Sequence, residues 1–436
     1  MHSPLPSVSP LPLPLPQSPD HPAPFSSTRG FRYALLFALA MTEMLPVALL
    51  STAMPVLLRR SGASMKQMGI LSLIMFPWAI KALWAPLVDK WGARSRFGRY
   101  RAWLFVTHPL LLITLLLGAF VDIPSLFIGS QAVGLPALLW LSFISATADT
   151  ASHGLAVNLL SAEERGMGNG IQSAGMMVGS VIGGGLMVML VGRLGWQMTL
   201  FSMAALILLP LFGVALYQEP PLTTQRTVTL RETLALFGRP RIWSYLGVLV
   251  VISSVPTMAW VPFQAAFVDR GLDLTEIGLL IGIVGSTAGA LGGILGGVTV
   301  AQLGRQRAFY ALNILGVFCL AITALLLTHA APSRAMLHAA IIADSFGLAA
   351  RGTIMCVMMM DRSRGHLAST DYTVQYSLTQ FCGFLGMGVG GYIADRIGGT
   401  PILLSVPVFM LGVIVISPWV LRREDFQATP ASLPHA

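Results

Sequence analysis

Charge is the scarcest thing in this sequence. Only 10% of its 436 residues are Asp, Glu, Lys or Arg, where soluble domains carry roughly 25%. So few charged groups cannot hold a chain that is 55% hydrophobic in water, which excludes a soluble globular protein and leaves one that needs lipid or other protein around most of its length. Cysteine is nearly absent as well. Cys319, Cys356 and Cys382 each fall inside an apolar run, so there is no disulfide framework and no metal-ligand spacing. A net charge of +9 would suggest a nucleic-acid partner in a soluble chain. Here the basic residues sit in loops between apolar runs, so the charge speaks for membrane topology and against nucleic acid. The first residues also lack a basic region followed by an apolar core and a small-residue cleavage site, so the first apolar span is expected to insert uncleaved.

Residues 1–28 hold nine prolines, from Pro4 to Pro24. They read as a disordered or polyproline-like tail. Apolar runs then follow at about 31–54, 68–88, 102–121, 136–160, 167–191 and 196–217, and, after a polar stretch, at about 242–267, 278–300, 308–330, 335–360, 371–394 and 401–421. With about 20 residues needed per crossing, this predicts an all-α membrane protein of twelve transmembrane helices in two groups of six. The expected division is a six-helix bundle over 29–217, a linker over 218–241, a second six-helix bundle over 242–426 and a short tail over 427–436. Residues 229–237 of the linker suit a short interfacial helix.

With a cytoplasmic amino terminus, the loops on that side hold 18 Lys or Arg against 7 in the opposite loops, the other two, Lys81 and Arg351, lying inside spans. Both termini are therefore expected in the cytoplasm. The halves echo each other, as in a parallel repeat. GASMKQMGILSL after the first run resembles GLDLTEIGLLIG after the seventh. Ala148 and Asp149, leading to Gly154, are echoed by Ala343 and Asp344, leading to Gly347.

A charge at the bilayer centre costs at least about 2.5–3.5 kcal/mol, so those present need a reason. They are Glu43 in the first span, Lys81 in the second, Asp149 with His153 in the fourth, and Asp344 with Arg351 in the tenth. Asp149 and His153 are four apart and share a helical face, where a carboxylate can hold an imidazole and exchange a proton with it. The alternative is a structural clamp in which Asp149 neutralises Lys81 across neighbouring helices. Lys81 otherwise has to snorkel toward the interface. Asp344 and Arg351, seven apart, either pair structurally or hold an anionic solute. Glu43 suits either proton coupling or a protonated carboxyl bonded to backbone. Gln264, Gln375 and Gln380 offer hydrogen bonds to a solute or glue between helices. Glycines recur every fourth residue at Gly175, Gly179 and Gly183, and at Gly285, Gly289 and Gly293. That spacing predicts close helix packing rather than ligand contact.

The segment PWAIKALWAPLVDKWGARSRFGRYR, an apolar helix ending in Asp89, Lys90, Gly92 and Arg94, resembles the loop between the second and third helices of the major facilitator superfamily. The resemblance implies two six-helix bundles that rock about a central chamber lined by helices one, four, seven and ten, with Asp89, Lys90, Gly92 and Arg94 as a gating loop. The second copy, GVTVAQLGRQR, keeps Gly304 and Arg305 but has Ala301 where the first has Asp89. Span five resembles the drug-proton antiporter motif, with Ser180 in place of its proline. Within the superfamily, LLRRSGASMKQMGILSLIMFPWAIKALWAPLVDK, DTASHGLAVNLLSAEERGMGNGIQSAGMMVGSVIGGG and STDYTVQYSL look like the AmpG-like branch, and more closely its RhtX/FptX-type siderophore importers. This implies a transporter of the bacterial inner membrane that imports a ferric siderophore by alternating access, coupled to protons. The other readings are a permease of the same branch for muropeptides or another bulky polar metabolite, and a siderophore exporter. Members commonly carry an acidic residue where this chain has His153, so its cavity is less acidic and, with Lys81 and Arg351, favours an anionic or phenolate-bearing solute. An embedded acyl transferase using Asp149 and His153 is the reading of another class. The six-plus-six repeat and the absence of a nucleophile motif beside that pair argue against an enzyme. The expected partners are a small-molecule solute, protons and lipid. No cofactor and no protein-bound metal is expected.

Overall fold

The computed structural model describes residues 28–54, 57, 72–92, 95, 97–121, 131–217, 219, 230–268, 270, 276 and 280–427. Residues 1–27, Arg94, residues 218 and 220–229 of the linker, and the last residues of the chain lie outside this set. Every regular element among the described residues is helical. The elements are α1 (Arg29–Ala48), α2 (Phe76–Ile80), α3 (Ala85–Gly92), α4 (Arg99–Gly118), α5 (Gln131–Leu159), α6 (Arg165–Val181) and α7 (Met187–Leu216). They continue with α8 (Leu230–Leu234), α9 (Ile242–Ser254), α10 (Trp260–Val268), α11 (Ser286–Thr328), α12 (Arg334–Arg362), α13 (Ala368–Ile397) and α14 (Gly399–Val420).

All twelve apolar runs are helical over nearly all their described residues, though not as twelve separate rods. Seven continuous helical stretches among the described residues are long and apolar enough to cross a membrane. Two of them, Arg165–Leu216 and Leu280–Thr328, each join two runs end to end. The joints are Gly195 (φ 79°) and Gly304 (φ 72°), where only a residue without Cβ turns the chain so sharply at little cost. Gly98 (φ 99°) and Gly398 (φ 86°) are the other glycines with positive φ among the described residues. The four precede the third, sixth, ninth and twelfth runs, so the same turn recurs at equivalent places in each group of six. The runs at 68–88, 136–160 and 371–394 fall outside the seven stretches. They are the ones loaded with Lys81, with Asp149 and His153, and with Asp371 and Gln375. The expected helix of the linker is present as α8, shorter than its predicted range.

Helices α1, α4, α5 and α7 pack together around Leu45, Leu111, Leu141, Met203 and Ile207. Later in the chain, Leu249, Leu312, Ile354 and Val406 join α9, α11, α12 and α14. The earlier and later groups meet along α6 with α11, and along α3 and α5 with α13. Helix α6 is thin enough to lie between α1 and α11. A Cβ at Gly175, Gly179 or Gly183 would sit 2.6, 2.2 or 2.5 Å from the carbonyl oxygens of Phe37, Met41 and Leu45 in α1. On its other side Gly293 approaches Ser173, and Gly289 approaches Met177. Gly285 instead packs against Ser345.

Candidate functional site

The second run is broken where its charge sits. Pro86 has no N–H, and its ring crowds the carbonyl four residues earlier, so α2 and α3 are separated by a tight turn over Lys81–Leu83. The break aims Lys81 inward, where it is only 1% exposed. Its ammonium pairs with one oxygen of Asp149 on α5. The other oxygen of Asp149 lies 3.4 Å from Nε2 of His153, one turn further along the same helix. Glu43 on α1 is buried nearby, feels both Asp149 and Lys81 electrostatically, and leaves Oε1 without a hydrogen-bond partner among the described residues. Four of the charged or ionisable residues expected from the sequence thus converge, and they do so in the first half of the chain.

The second half covers this cluster with aromatic rings. Tyr372 and Tyr376, four apart on α13, lie nearly parallel at 12°. Tyr372 stacks on His153 with ring centroids 4.4 Å apart. The Lys81 ammonium lies 4.7 Å from the Tyr376 ring and 4.7 Å from that of Trp78, a cation between two π faces. Trp78 is three residues from Lys81 on a helical stretch, and the spacing of the two tyrosines is visible in STDYTVQYSL. Their partners across the halves have no signal in the sequence.

A second polar cluster joins the halves at the end of the molecule that carries the start of α1. Asp89, fully buried at the end of α3, accepts from the Tyr100 hydroxyl at 2.6 Å, from the Thr370 N–H at 2.8 Å and from the Thr370 hydroxyl at 2.5 Å. Thr370 lies in the first turn of α13, so Asp89 satisfies an orphan N–H there and meets the positive end of its dipole. Burial pushes the Asp89 carboxyl up to about 6, opposed by the hydrogen bonds from Thr370 and Tyr100. Tyr100 is itself fixed by its helix. Glu219 accepts from the Tyr100 and Arg101 amides at 3.0 and 3.3 Å, capping α4 in the place where a side chain on Gly98 would sit. Around this core Ser369 donates to the Thr150 carbonyl at 2.9 Å, Asn158 donates to that of Gly365 at 3.2 Å, and Arg99 donates to that of His366. Asp361 at the end of α12 is held by Arg165 of α6 at 2.7 Å and by Arg305 at 3.0 Å. Of the residues around Asp361, the sequence pointed only to Arg305, in the second copy of the loop. Of the expected gating loop, Gly92 packs against Arg99, while Lys90 is exposed and makes no ion pair among the described residues.

The remaining expected residues lie apart from both clusters. Gln375 is buried and donates to the carbonyls of Met359 and Asp371 at 3.2 and 2.8 Å, joining α12 to α13. Gln264 and Gln380 are exposed on the protein surface. Asp344 and Arg351 face a cavity in the second half without forming an ion pair. Among the described residues no group of His, Cys, Asp and Glu is placed to hold a metal ion.

Residues 34–370 match the model of the family described as Major Facilitator Superfamily. The chain belongs to the Major Facilitator Superfamily. Among relatives in this superfamily, the chain is 30% identical over 293 residues to the anhydromuropeptide permease of Escherichia coli strain K12, a match that covers 65% of this chain and 58% of the permease. It is 20% identical over 417 residues to the putative transporter AmpG 4 of Rickettsia felis, covering 91% of this chain and 98% of that protein. The fold is that of solved transporter structures. The fucose:proton symporter FucP of E. coli (N162A) superposes with a TM-score of 0.68 at 14% identity, covering 91% of this chain and all of that one. A bacterial homologue of the iron transporter ferroportin, in an outward-facing state, gives 0.65 at 16% identity, covering 88% and 98%. The chain is therefore a multi-pass membrane protein of this superfamily.

Proposed function

We propose that this transporter is an AmpG-like permease of the bacterial inner membrane that imports a bulky polar solute bearing an anionic group, coupled to protons and working by alternating access. The observation that carries the reading is the set of buried Lys81, Asp149 and Glu43 with partly buried His153, closed over by Tyr372 and Tyr376. While Asp149 is ionised it neutralises Lys81, and the site offers an anion little. A proton taken up from outside, reaching Asp149 directly or by relay through His153 or Glu43 with the relay group reprotonated, frees the ammonium for an anionic solute, so proton and solute enter the site together. The solute then displaces the tyrosine rings from Lys81 and His153, and those rings belong to the other half of the protein. The similarity to the anhydromuropeptide permease supports a muropeptide-like solute.

In this reading there are twelve spans, residues 29–217 and 242–426 are the two moving bundles, and 218–241 is the linker between them. Both termini are cytoplasmic, as the loop charges favour. The Asp89 and Asp361 clusters then form the closed cytoplasmic latch of a state whose solute path faces outward. Import of a ferric siderophore is the narrower second reading, and the AmpG-like strings in residues 36–200 that look most like RhtX/FptX-type importers favour it.

The test is uptake of a labelled anhydromuropeptide and of ferric siderophores of pyochelin, hydroxamate and carboxylate types by spheroplasts producing the chain or its Asp149→Asn variant. Gradient-dependent uptake of one class, lost in the variant, is expected. Uptake that survives collapse of the proton gradient, or that is unchanged in the variant, removes the coupling role of the charged set. No uptake of any of these solutes by a folded, inserted protein removes the substrate assignment.

A further inference from the structure

The second half contains a cavity of about 150 Å³ between the break that separates α9 from α10 and helices α11, α12 and α13. Asp344 and Arg351 both line it, and Asp344 also borders a smaller cavity of about 30 Å³ beside it. Asp344 accepts no hydrogen bond and makes no ion pair among the described residues. It attracts Arg351 only across the gap. Arg351 is 5% exposed and uses one arm, donating from Nη1 to the Ile252 carbonyl at 3.0 Å. That carbonyl is free because Pro256, four residues on, has no N–H to give it. The proline therefore draws the guanidinium away from its own carboxylate and keeps the two charges apart.

The space between them is kept open by glycine. Gly347 lies between Asp344 and Arg351 on α12, and a Cβ there would meet that of Cys319 at 2.5 Å. Gly316 on α11 faces the Arg351 stem at 3.4 Å from where its own Cβ would be. Trp260 supplies an aromatic wall.

A buried cation and a half-buried anion that face one cavity but do not touch both lack what makes a charge within a span tolerable. A ligand carrying both signs supplies it, giving charge-assisted hydrogen bonds at each end. We propose that this cavity is a binding site for a small zwitterion of the α-amino-acid type, free or as one end of a larger solute, with its ammonium on Asp344, its carboxylate on Arg351 and its side chain against Trp260. The site is separate from the Lys81 and Asp149 cluster and does not depend on the function proposed for that cluster.

The test is calorimetric titration of the full-length protein in lipid nanodiscs with L-leucine, with 4-methylpentanoate as the carboxylate alone and with 3-methylbutylamine as the ammonium alone. The expected result is that L-leucine binds at least about tenfold more tightly than either single-charge analogue. Asp344→Asn, which removes no hydrogen bond seen here, should abolish that preference. Gly316→Leu should fill the cavity and block binding, and Asp149→Asn should leave binding intact. Absence of L-leucine binding, equal binding of all three probes, or preference retained in Asp344→Asn overturns the proposal. Loss of binding in Asp149→Asn alone places the ligand in the central cluster and overturns it as well. Circular dichroism and size exclusion confirm that each variant is folded.

Discussion

Asp89 and Thr370 are 281 positions apart in sequence, and the carboxylate of the first accepts both donors of the second, the N–H at 2.8 Å and the hydroxyl at 2.5 Å. The last turn of α3 in one half thus caps the first turn of α13 in the other. Removing the acceptor leaves an otherwise orphan helix N–H and the hydroxyls of Thr370 and Tyr100 buried without this partner, at about 1–3 kcal/mol for an unsatisfied group. Asp89→Ala should therefore shift the population by roughly 10- to 100-fold toward the state in which these ends are apart. Double electron–electron resonance between spin labels on Lys90 and Arg423 measures this. Unchanged distances would show that the arginines on Asp361 hold the latch without Asp89.

The same contact should respond to pH. Asp89 sits at about 6 where it is buried against Thr370, above the ordinary carboxylate value of 3.8 that it regains once the latch opens. The closed state then binds the proton more tightly, so closure is strongest below about pH 4 and weakens as the pH rises through 6. The same spin-label distances, followed from pH 4 to 8, should show a growing open population. Asp89→Asn should flatten that dependence. Opening that grows on acidification would contradict the assignment.

Much of this arrangement is legible in the sequence because it depends on spacing along one helix. The apolar runs, the shared face of Asp149 and His153, and the four-residue glycine repeats are all local patterns, and residues so spaced lie together whenever a helix forms. The acidic end of the second run is legible for the same reason. What is hidden is whatever joins distant segments. Nothing local in STDYTVQYSL says that Tyr376 will cover Lys81, or that Thr370 will meet Asp89. Asp361 and Arg165 give no sign that they will pair. Asp344 and Arg351 show both sides of this limit. Their common face follows from a seven-residue spacing, but their separation is set by Pro256 on another helix, which frees the Ile252 carbonyl that Arg351 takes.

The pair of Lys81 and Asp149 should behave as a unit in stability but not in transport. Removing one partner leaves a buried charge uncompensated, at a cost of about 3–5 kcal/mol. Lys81→Met and Asp149→Asn should each lower the melting temperature in detergent, and the double variant should recover most of the loss. If the pair also handles the proton, all three variants fail to accumulate solute. A double variant that transports normally would reduce the pair to a clamp between α5 and the break at Lys81.

The glycine face of α6 allows a sharper comparison, because Gly185, in the π-helical turn that follows α6, has open space where Gly179 has a neighbour. A Cβ at Gly179 would fall 2.2 Å from the Met41 carbonyl oxygen, whereas one at Gly185 would meet nothing within 4 Å. Helices in lipid gain little from burying apolar surface against one another, so their association rests on close backbone approach. Gly179→Ala must push α1 away from α6, at a cost of about 1–3 kcal/mol, while Gly185→Ala should stay within about 0.5 kcal/mol of the parent. Melting temperatures of the two variants in the same detergent make the comparison. Equal melting points would mean that α1 yields freely. The contact would then be a sliding surface, and transport rate rather than stability would register the extra methyl group.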